Sequence, residues 1–434
     1  MLKLIAGSAT APLVLRGPAW GEPTASEKIT VGCIGLGWQG MGNMNSFLTQ
    51  NDCRVVAVCD VDANHLKGAI DKVNAHYQNQ DCKGYRDFRE LIARDDIDAV
   101  CISTPDHWHS IPAITAANAG KDIFCEKPLS HTLGEGIAMV DAAHRNKIIW
   151  QTGSWQRSQA TFRWAVQLIQ NGYVGKVTRV EVGLPPGHID FGGTGNSAPD
   201  GTPPESLDYD MWIGPSKMVP YNPCRIHKNW RWNYNTGGGN LMDWIGHHCD
   251  IAHWGLANPE FGCGPDDEIG PLEVSATADF PDKDAVWNTA TRYRVECQYP
   301  NDVEMVIAGG HEGIEGGAKW IGPEGWVLVD RGVLRASNLD WIREIQKLEK
   351  EGGPKIQLYK SPGHTREFLD SIRSRRRTLT PAEIAHRSQT PGHLGHIAAV
   401  TGRTLKWDAK KQVIIGDPEA SKLIHKEMRA PWKI

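Results

Sequence analysis

Short apolar runs rich in β-branched residues alternate with helix-like stretches from Lys28 to about Thr152. This alternation limits the fold most strongly, because buried strands joined by helices form a parallel sheet covered on both faces. The predicted strands cover residues 29–34, 55–60, 99–103, 122–125 and 148–152. The predicted helices cover residues 41–48, 63–76, 88–94, 111–119 and 133–145. The predicted fold class is therefore α/β, with a doubly wound parallel sheet in this part.

The pattern changes after residue 153. Residues 161–170 predict another helix, and the Gly- and Pro-rich residues 184–204 predict a long loop. Stretches that alternate apolar and polar residues predict half-exposed antiparallel strands at 273–280, 289–299, 303–309 and 326–330. Helices are predicted again at 365–374 and 382–401. We therefore divide the 434 residues into a leader-like segment (1–27), an N-terminal α/β domain (28–153) and a C-terminal α/β domain (154–434).

Composition excludes some partners. The formal net charge of −4 argues against a nucleic-acid partner, which needs a basic footprint. No apolar run approaches the ~20 residues of a membrane helix, so no membrane span is expected. The ten cysteines include no Cys-x-x-Cys pair. Four of them lie in apolar runs and are predicted to be small buried core residues: Cys33, Cys59, Cys101 and Cys125.

Residues 4–15 form a short apolar stretch rich in small residues, typical of the end of an export signal. Only Lys3 precedes it, and the twin-arginine motif of exported folded proteins is missing. We expect export to the periplasm, by a twin-arginine route whose signal is truncated here. A disordered tail on a cytoplasmic protein is the alternative.

A Gly-x-Gly-x-x-Gly motif, Gly35, Gly37 and Gly40, closes the first predicted strand and opens a helix. In this context the glycines let backbone N–H groups approach a pyrophosphate at a helix N-terminus. Asp60 ends the next strand, 20 residues after Gly40. A carboxylate there suits the ribose hydroxyls of NAD and would repel the additional phosphate of NADP. The motif thus predicts NAD as cofactor, and a glycine-rich turn without ligand is the alternative.

Two further motifs follow predicted strands, at the edge where open α/β sheets bind ligands. They are residues 103–109 (Ser-Thr-Pro-Asp-His-Trp-His) and residues 126–128 (Glu-Lys-Pro). The alternatives are an ordinary strand-to-helix turn, a metal pair formed by His107 and His109, and a solvated lysine. The predicted cofactor-binding residues are Gly35, Gly37, Trp38, Gln39, Gly40, Asp60, Ser103, Thr104, Pro105, His109, Glu126 and Lys127.

Three glycines at 237–239 precede a predicted helix that carries Asp243 and His247. Residues four apart share a helix face, so the carboxylate could orient the imidazole as a general base. The alternatives are a metal cluster with His248, Asp250 and His253, or satisfied polar core groups. We expect no metal.

Tryptophan is unusually frequent, with 17 residues against eight phenylalanines. Five fall in one stretch, where they could form stacking walls for a sugar or ordinary core: Trp212, Trp230, Trp232, Trp244 and Trp254.

The four motifs, in this order, resemble those of the Gfo/Idh/MocA oxidoreductases over about residues 28–434. The variants at 105–109, 153–158, 230–234, 405–408 and 429–432 resemble a branch often found with export signals. The resemblance implies a nicotinamide-binding Rossmann domain and a second α/β domain with a large, open, mostly antiparallel sheet. It further implies a homodimer or homotetramer formed through that sheet, and sugars, cyclitols or their derivatives as substrates.

By the same resemblance, the catalytic residues are Lys127, Asp243 and His247. We predict that His247 takes the hydroxyl proton, that Asp243 orients His247, and that Lys127 holds the hydroxyl. The predicted substrate-binding residues are Arg157, Trp230, Arg231, Tyr234 and His248.

The predicted function is an NAD(H)-dependent oxidoreductase acting on a sugar or polyol. One alternative is an NAD-dependent glycoside hydrolase or lyase that transiently oxidises a ring hydroxyl, although a Gly-His-x-Tyr-Pro-Thr-His segment typical of such glycosidases is missing. A non-catalytic ligand-binding protein is the other alternative, and the complete set of Lys127, Asp243 and His247 argues against it.

Overall fold

The computed structural model describes residues 27–265 and 268–434, and it contains two sheets. The first is a six-stranded, wholly parallel sheet in the order β3-β2-β1-β4-β5-β6. Its strands are β1 (Ile29–Ile34), β2 (Cys53–Cys59), β3 (Lys83–Tyr85), β4 (Ala99–Ile102), β5 (Asp122–Cys125) and β6 (Trp150–Thr152). The doubly wound parallel sheet predicted from the sequence is therefore confirmed.

Five helices connect these strands: α1 (Trp38–Leu48), α2 (Ala63–Tyr77), α3 (Phe88–Ile92), α4 (Ser110–Asn118) and α5 (Leu133–Asn146). The strand order reverses between β1 and β4, and this switch point opens a crevice at the carboxyl ends of the strands. The sequence prediction missed the edge strand β3. This strand has only three residues, of which Lys83 and Gly84 are exposed, so no apolar run marks it.

The second sheet has nine strands in the order β13-β12-β11-β7-β10-β9-β8-β14-β15. They are β7 (Arg179–Leu184), β8 (Glu273–Asp279), β9 (Arg292–Tyr299), β10 (Val303–Gly309), β11 (Gly317–Gly322), β12 (Gly325–Asp330), β13 (Val333–Ala336), β14 (Leu405–Asp408) and β15 (Val413–Ile415). Only the pairing of β7 with β10 is parallel, so the sheet is mostly antiparallel, as predicted.

Five of these strands were not predicted: β7, β11, β13, β14 and β15. All are six residues or shorter, and three of them lie at or beside an edge of the sheet and have four residues or fewer, too few to show an alternating pattern. The predicted loop at 184–204 is present, because no helix or strand is formed between Leu184 and Tyr209.

The helices of the second part are α6 (Ala160–Gln170), α7 (Tyr209–Ile213), α8 (Gly239–Leu256), α9 (Leu339–Leu348), α10 (His364–Ser374), α11 (Ala382–Thr401) and α12 (Pro418–Lys422). Side chains of α6, α8 and α11 share one core with the second sheet, in which Phe162, Ile245 and Leu394 are buried. The opposite face of the sheet carries charged side chains in ion pairs, such as Arg179 with Glu304.

The end of the chain returns to the first sheet. Phe368 of α10 packs edge-on against Phe47 and Phe124 in the core beside β1. Trp432 packs against Trp108, with a ring-centroid distance of 4.8 Å. These contacts anchor α10 and the end of the chain on the first sheet.

The tryptophan-rich stretch divides between core and surface. Trp212, Trp232 and Trp254 are buried, whereas Trp230 and Trp244 remain partly exposed. The four cysteines predicted to be buried core residues are buried, and the ten cysteines are free thiols. None of the helices in the described residues is both long and apolar enough to cross a membrane.

Candidate active site

The crevice at the switch point is a cleft with an empty volume of about 1060 Å³. Its floor comes from the carboxyl ends of β1, β2 and β4, and its far wall comes from the second part of the chain. Eight of the predicted cofactor-binding residues line it, together with Trp108: Gly35, Gly37, Trp38, Gln39, Asp60, Ser103, Thr104 and Pro105.

The three glycines of the first motif serve different purposes. Gly35 has a φ of +82°, and an added Cβ would lie 2.7 Å from the backbone nitrogen of Thr104. A Cβ on Gly40 would lie 1.9 Å from the carbonyl oxygen of Gly35, so this glycine permits close packing of α1. A Cβ on Gly37 would meet nothing within 4 Å. Gly37 therefore leaves open space over the start of α1, where a pyrophosphate would approach the backbone.

Asp60 faces the same cleft from the end of β2. Its carboxylate accepts hydrogen bonds from the backbone N–H of Leu36 at 2.6 Å and of Asp62 at 2.8 Å. The side chain therefore braces the glycine loop and lies where the ribose hydroxyls of a dinucleotide would bind. Arg86 also lines this end of the cleft, and its guanidinium donates to the carbonyl of Ser206 at 3.3 Å.

The second part of the chain covers the cleft. Phe191 and Lys228 both lie against the exposed ring of Trp38, at 6.1 Å and 5.3 Å from its centroid. Potential metal ligands also meet here: Asp62, His65 and His227 have donor atoms within 4.8 Å of one another. Sequence spacing did not reveal this group, since His227 lies 162 residues after His65.

Two predicted cofactor residues lie behind the cleft and act through their neighbours. His109 is buried between the carbonyl oxygens of Pro128 at 2.7 Å and Thr104 at 2.8 Å, which holds the turn after β4 in place. The Glu126 carboxylate accepts from the side-chain amides of Gln39 at 3.1 Å and Asn43 at 2.9 Å. These bonds connect the end of β5 to the first two turns of α1.

Lys127, immediately after β5, reaches α8. Its Nζ donates to the carbonyl oxygen of Asp243 at 2.7 Å and to Oδ1 of the same residue at 3.0 Å. Arg231 Nε donates to that Oδ1 at 3.0 Å from the opposite side. Burial alone would raise the pKa of the Asp243 carboxyl, but the Lys127 and Arg231 charges outweigh it and lower this pKa to about 2. Asp243 is therefore ionised.

His247 lies one turn further along α8. Helix α8 approaches β5 closely just before it, because an added Cβ on Gly246 would lie 3.2 Å from the Lys127 Cβ. The His247 ring packs edge-on between Trp155 and Trp244, at centroid distances of 6.1 Å and 5.7 Å. Burial and then the Lys127 charge lower the pKa of His247 well below 6.5. The imidazole is therefore neutral near neutral pH and able to accept a proton.

The structure corrects the predicted role of Asp243. Within the described residues, its carboxylate bonds to Lys127 and Arg231 and not to His247, whose Nδ1 is buried without a hydrogen-bond partner. Positions four apart permit contact on a helix, but the two flanking cations offer the carboxylate stronger, charge-assisted bonds. Asp243 therefore positions Lys127 and Arg231.

Three of the five predicted substrate-binding residues do not face the cleft. Arg157 forms a buried ion pair with Asp250, at 2.8 Å and 2.9 Å. The Tyr234 ring packs against His396 at 4.4 Å, and its hydroxyl accepts from the Ala290 N–H. The polar groups of both side chains form hydrogen bonds inside the fold. Their partners depend on how distant elements pack together.

The third is His248, which follows His247 on α8 and packs against the Trp244 ring at 5.3 Å. It is 2% exposed, with its Nε2 3.5 Å from Asp330. The other two residues, Trp230 and Arg231, do line the cleft. The Arg231 guanidinium also stacks over the Trp230 ring at 4.3 Å.

The metal alternatives weighed for the histidines are not supported by their contacts. The ring nitrogens of His107 lie 3.2 Å and 3.0 Å from the carbonyl oxygens of Thr236 and Trp212. His253 Nε2 lies 2.7 Å from the Tyr299 hydroxyl. These rings bond within the core, and they do not converge as a ligand set.

Two residues beside His247 were missed by the sequence analysis. Trp155 follows β6 in a short 3₁₀ helix, and Arg331 lies in the turn between β12 and β13. Trp155 lies within the 153–158 segment, which the sequence marks only as a variant of the family pattern. No local signal marks Arg331, since only the pairing of distant strands brings it to α8.

Comparison with known proteins identifies both parts of the chain. A family model described as "Oxidoreductase family, NAD-binding Rossmann fold" matches residues 29–154. A second model, "Oxidoreductase family, C-terminal alpha/beta domain", matches residues 159–434. The chain belongs to the Gfo/Idh/MocA oxidoreductase family. The predicted resemblance and NAD as cofactor are confirmed, whereas membership of an exported branch stays a prediction.

Curated members of the family match over part of their length. "Glycosyl hydrolase family 109 protein 2" of Shewanella sp. (strain ANA-3) is 30% identical over 161 residues, covering 36% of this chain and 35% of that protein. "Inositol 2-dehydrogenase" of Salmonella typhimurium is 30% identical over 150 residues, covering 34% of this chain and 43% of that protein. The match thus spans less than half the length of these relatives.

A solved structure supports the fold over most of the chain. Scyllo-inositol dehydrogenase from Lactobacillus casei, with bound NAD(H) and scyllo-inositol, has a TM-score of 0.58 and 16% identity. The alignment covers 87% of this chain and 99% of that one. At this identity the likeness supports the two-part Gfo/Idh/MocA fold.

We expect Asp60→Ala to weaken NAD binding about tenfold, the cost of one good hydrogen-bonded contact. The wild-type protein should prefer NAD over NADP, because the carboxylate repels a 2′-phosphate and Val61 and Asp62 offer no compensating cation. The substitution should narrow or reverse this preference. Titration of both dinucleotides into both proteins measures it, and equal affinities in the wild type would contradict the assignment.

Proposed function

We propose that this chain transfers a hydride between NAD and a hydroxyl-bearing carbon of a sugar or polyol. The observation that carries the proposal is the pairing of a neutral imidazole with a lysine beside a dinucleotide cleft. His247 supplies the imidazole and Lys127 the cation, and the close approach of α8 to β5 brings them together. The family membership and the inositol dehydrogenases among its relatives support the same class of substrate.

In this proposal the chain provides a general base for the hydroxyl proton and a positive charge for the substrate oxygen. NAD⁺ held by the glycine loop and Asp60 would supply the hydride acceptor for the substrate carbon. His247 takes the hydroxyl proton, for which a neutral imidazole is required. Lys127 uses two of its three N–H donors on Asp243, and the third can hold the substrate oxygen and stabilise its developing negative charge. Asp243 fixes the position of Lys127.

Tryptophan faces support a ringed substrate. Trp155, Trp230 and Trp244 are partly exposed beside His247 and Arg231, and indole faces pack against the apolar faces of sugar rings. A panel of sugars, cyclitols and aryl glycosides tests the function, with NADH absorbance and released aglycone as separate readouts. Oxidation of a sugar or cyclitol with stoichiometric NADH supports the proposal, and inactivity on the whole panel contradicts it.

The second candidate function is redox-assisted glycoside cleavage, for which the family 109 relatives are the specific observation. The same side chains would serve, because this reaction also begins by removing a hydrogen and a hydroxyl proton. Release of aglycone without NADH accumulation in the same panel favours this reading.

We expect activity to persist into mildly acidic solution. Only neutral His247 can accept the proton, and burial lowers the pKa of His247 well below 6.5. His247 therefore stays neutral as the pH falls through 6.5, and it becomes protonated only at lower pH. The acid limb of kcat/KM should have its midpoint below pH 6.5. A midpoint at or above that value in a pH–rate profile would contradict the assignment.

We also propose that the chain forms a homodimer or homotetramer through the open face of the second sheet. That face is half-exposed and rich in charged pairs such as Arg294 with Glu296. Light scattering after size exclusion tests the stoichiometry, and a monomer at micromolar concentration would contradict it.

We further propose that residues 1–27 act as an export signal. Most of this segment, including the apolar residues 4–15, lies outside the described residues, and its composition alone supports the proposal. Fractionation of cells that express the full chain, with N-terminal sequencing, tests it. Uncleaved protein in the cytoplasm would contradict export.

A further inference from the structure

Arg331 reaches the surroundings of His247 from the turn between β12 and β13. Its guanidinium lies between the rings of Trp155 and Trp244, at 4.7 Å and 4.6 Å from their centroids. These are the same two indoles that enclose His247. Arg331 and His247 are therefore neighbours across a shared pair of rings, although 84 residues separate them.

The amide of Gln156 links the two residues. Oriented to satisfy both neighbours, it donates to the His247 carbonyl oxygen at 2.8 Å and accepts from Arg331 Nε at 3.2 Å. The Gln156 side chain is fully buried, so this link is held by the core. The planar guanidinium is thus fixed at its faces and at one edge, while the residue stays exposed to solvent.

No carboxylate in residues 27–265 and 268–434 forms a direct ion pair with the Arg331 guanidinium. The adjacent Asp330 is engaged elsewhere, since its carboxylate accepts from the Arg331 backbone N–H at 2.7 Å and faces His248. Asp243 is already shared by Lys127 and Arg231. Two cationic side chains, Lys127 and Arg331, therefore lie near His247, and only Lys127 is paired with a carboxylate in the described residues.

From this arrangement we infer that the substrate carries a carboxylate and that Arg331 binds it. The inference rests on the proposed dehydrogenase function and narrows its substrate class to acidic sugars, such as uronic acids. A guanidinium presents two parallel N–H donors that match a carboxylate, and these charge-assisted bonds are stronger than bonds to the neutral hydroxyls of a sugar. Stacking between two indoles fixes the guanidinium beforehand, so little side-chain freedom is lost on binding.

A sugar acid with a ring fits the placement of Arg331 and His247 beside the same two indoles. Its carboxylate and its hydroxyls stand on one rigid ring, so a molecule held at Arg331 can present a hydroxyl to His247 beside it. The same binding aligns the ring with Trp155 and Trp244, whose faces are partly exposed. Arg331 would then be a specificity-determining residue that acts on binding.

The experiment compares matched acids and neutral sugars on the NAD-loaded enzyme. Glucuronate is paired with glucose, and galacturonate with galactose. A charge-assisted bidentate contact should favour one or both acids about 10- to 100-fold in kcat/KM, mainly through KM. Arg331→Gln should remove most of this preference. Arg331→Lys should keep part of it, because a lysine supplies the positive charge without the two parallel N–H donors of a guanidinium.

Arg335→Gln is the matched control. Arg335 lies on β13, four residues after Arg331. Its side chain is exposed and forms an ion pair with Glu315. This variant should keep the preference for acids. Thermal unfolding midpoints of all variants check that the fold is intact.

Calorimetric titration of the same sugars into the NAD-loaded protein separates the inference from the function. Arg331-dependent binding of an acid, without oxidation of any sugar, supports the inference and contradicts the dehydrogenase proposal. Equal kcat/KM for acids and neutral sugars overturns the inference and leaves the function standing. A preference for acids that survives Arg331→Gln also overturns it, as does failure of both acids to bind.

Discussion

His247→Ala is expected to abolish turnover while NAD affinity stays within about twofold of the wild type. A general base contributes ~10²–10⁴-fold to rate, so kcat should fall by that amount. NAD affinity should survive because the glycine loop and Asp60 line the cleft without contact to His247. Steady-state kinetics on the oxidised sugar and NAD titration of the same preparation measure the two effects.

His248→Ala is the control for this prediction. His248 stands next to His247 on α8 but faces Asp330, so its loss should cost much less in kcat. Asp243→Asn should also cost less than His247→Ala, because it leaves the imidazole in place and weakens the hold on Lys127. If His247→Ala retained most of its activity, the assignment of the base would be wrong.

Lys127→Ala is expected to lower kcat/KM about 10²–10³-fold, the usual cost of losing one donor that stabilises a developing oxyanion. Both KM and kcat should change, since the Nζ would hold the hydroxyl before and during reaction. The fold should tolerate the change because Arg231 still pairs with the Asp243 carboxylate. Initial-rate kinetics over a range of sugar concentrations give both parameters.

Lys121→Ala is the matched control for Lys127. Lys121 immediately precedes β5, at the opposite end of the strand from Lys127, and donates to the carbonyl oxygens of Arg94 and Ile97. Its loss should lower stability and leave kcat/KM nearly unchanged. Equal losses of kcat/KM in the two variants would show that the effect at Lys127 is structural, which would contradict its catalytic role.

Local sequence signals predicted eight of the residues that line the cleft on its first-sheet side. The turn after β1 needs glycine at Gly35 and Gly40 because backbone atoms lie within 2.7 Å of any added Cβ. Asp60 was predicted from its place at the end of the next strand, 20 residues after Gly40. The Glu-Lys-Pro motif that contains Lys127 was singled out because it follows a buried strand, at the edge where open α/β sheets bind ligands. For these residues, residue type and position in the chain are sufficient to predict a place at the edge of the sheet.

The partners of these side chains were harder to predict. Asp243 and His247 lie on one helix as expected, yet the carboxylate pairs with Lys127, 116 residues earlier. Arg157 resembled a wall residue and instead closes a buried ion pair with Asp250. A buried charged side chain is stable only when it is paired with an opposite charge. Which opposite charge lies close enough depends on how α8 packs against its neighbours.

The sequence by itself thus determined the parallel sheet, the glycine loop, Asp60 and the helix that carries His247. Each of these follows from residues close in the chain or from the rule that parallel strands end at one edge. Only the tertiary structure decided that Asp243 holds Lys127 and that Arg331 stands beside His247. The physical reason is that these contacts join distant elements, so they are set by the packing of the two sheets and leave no local pattern.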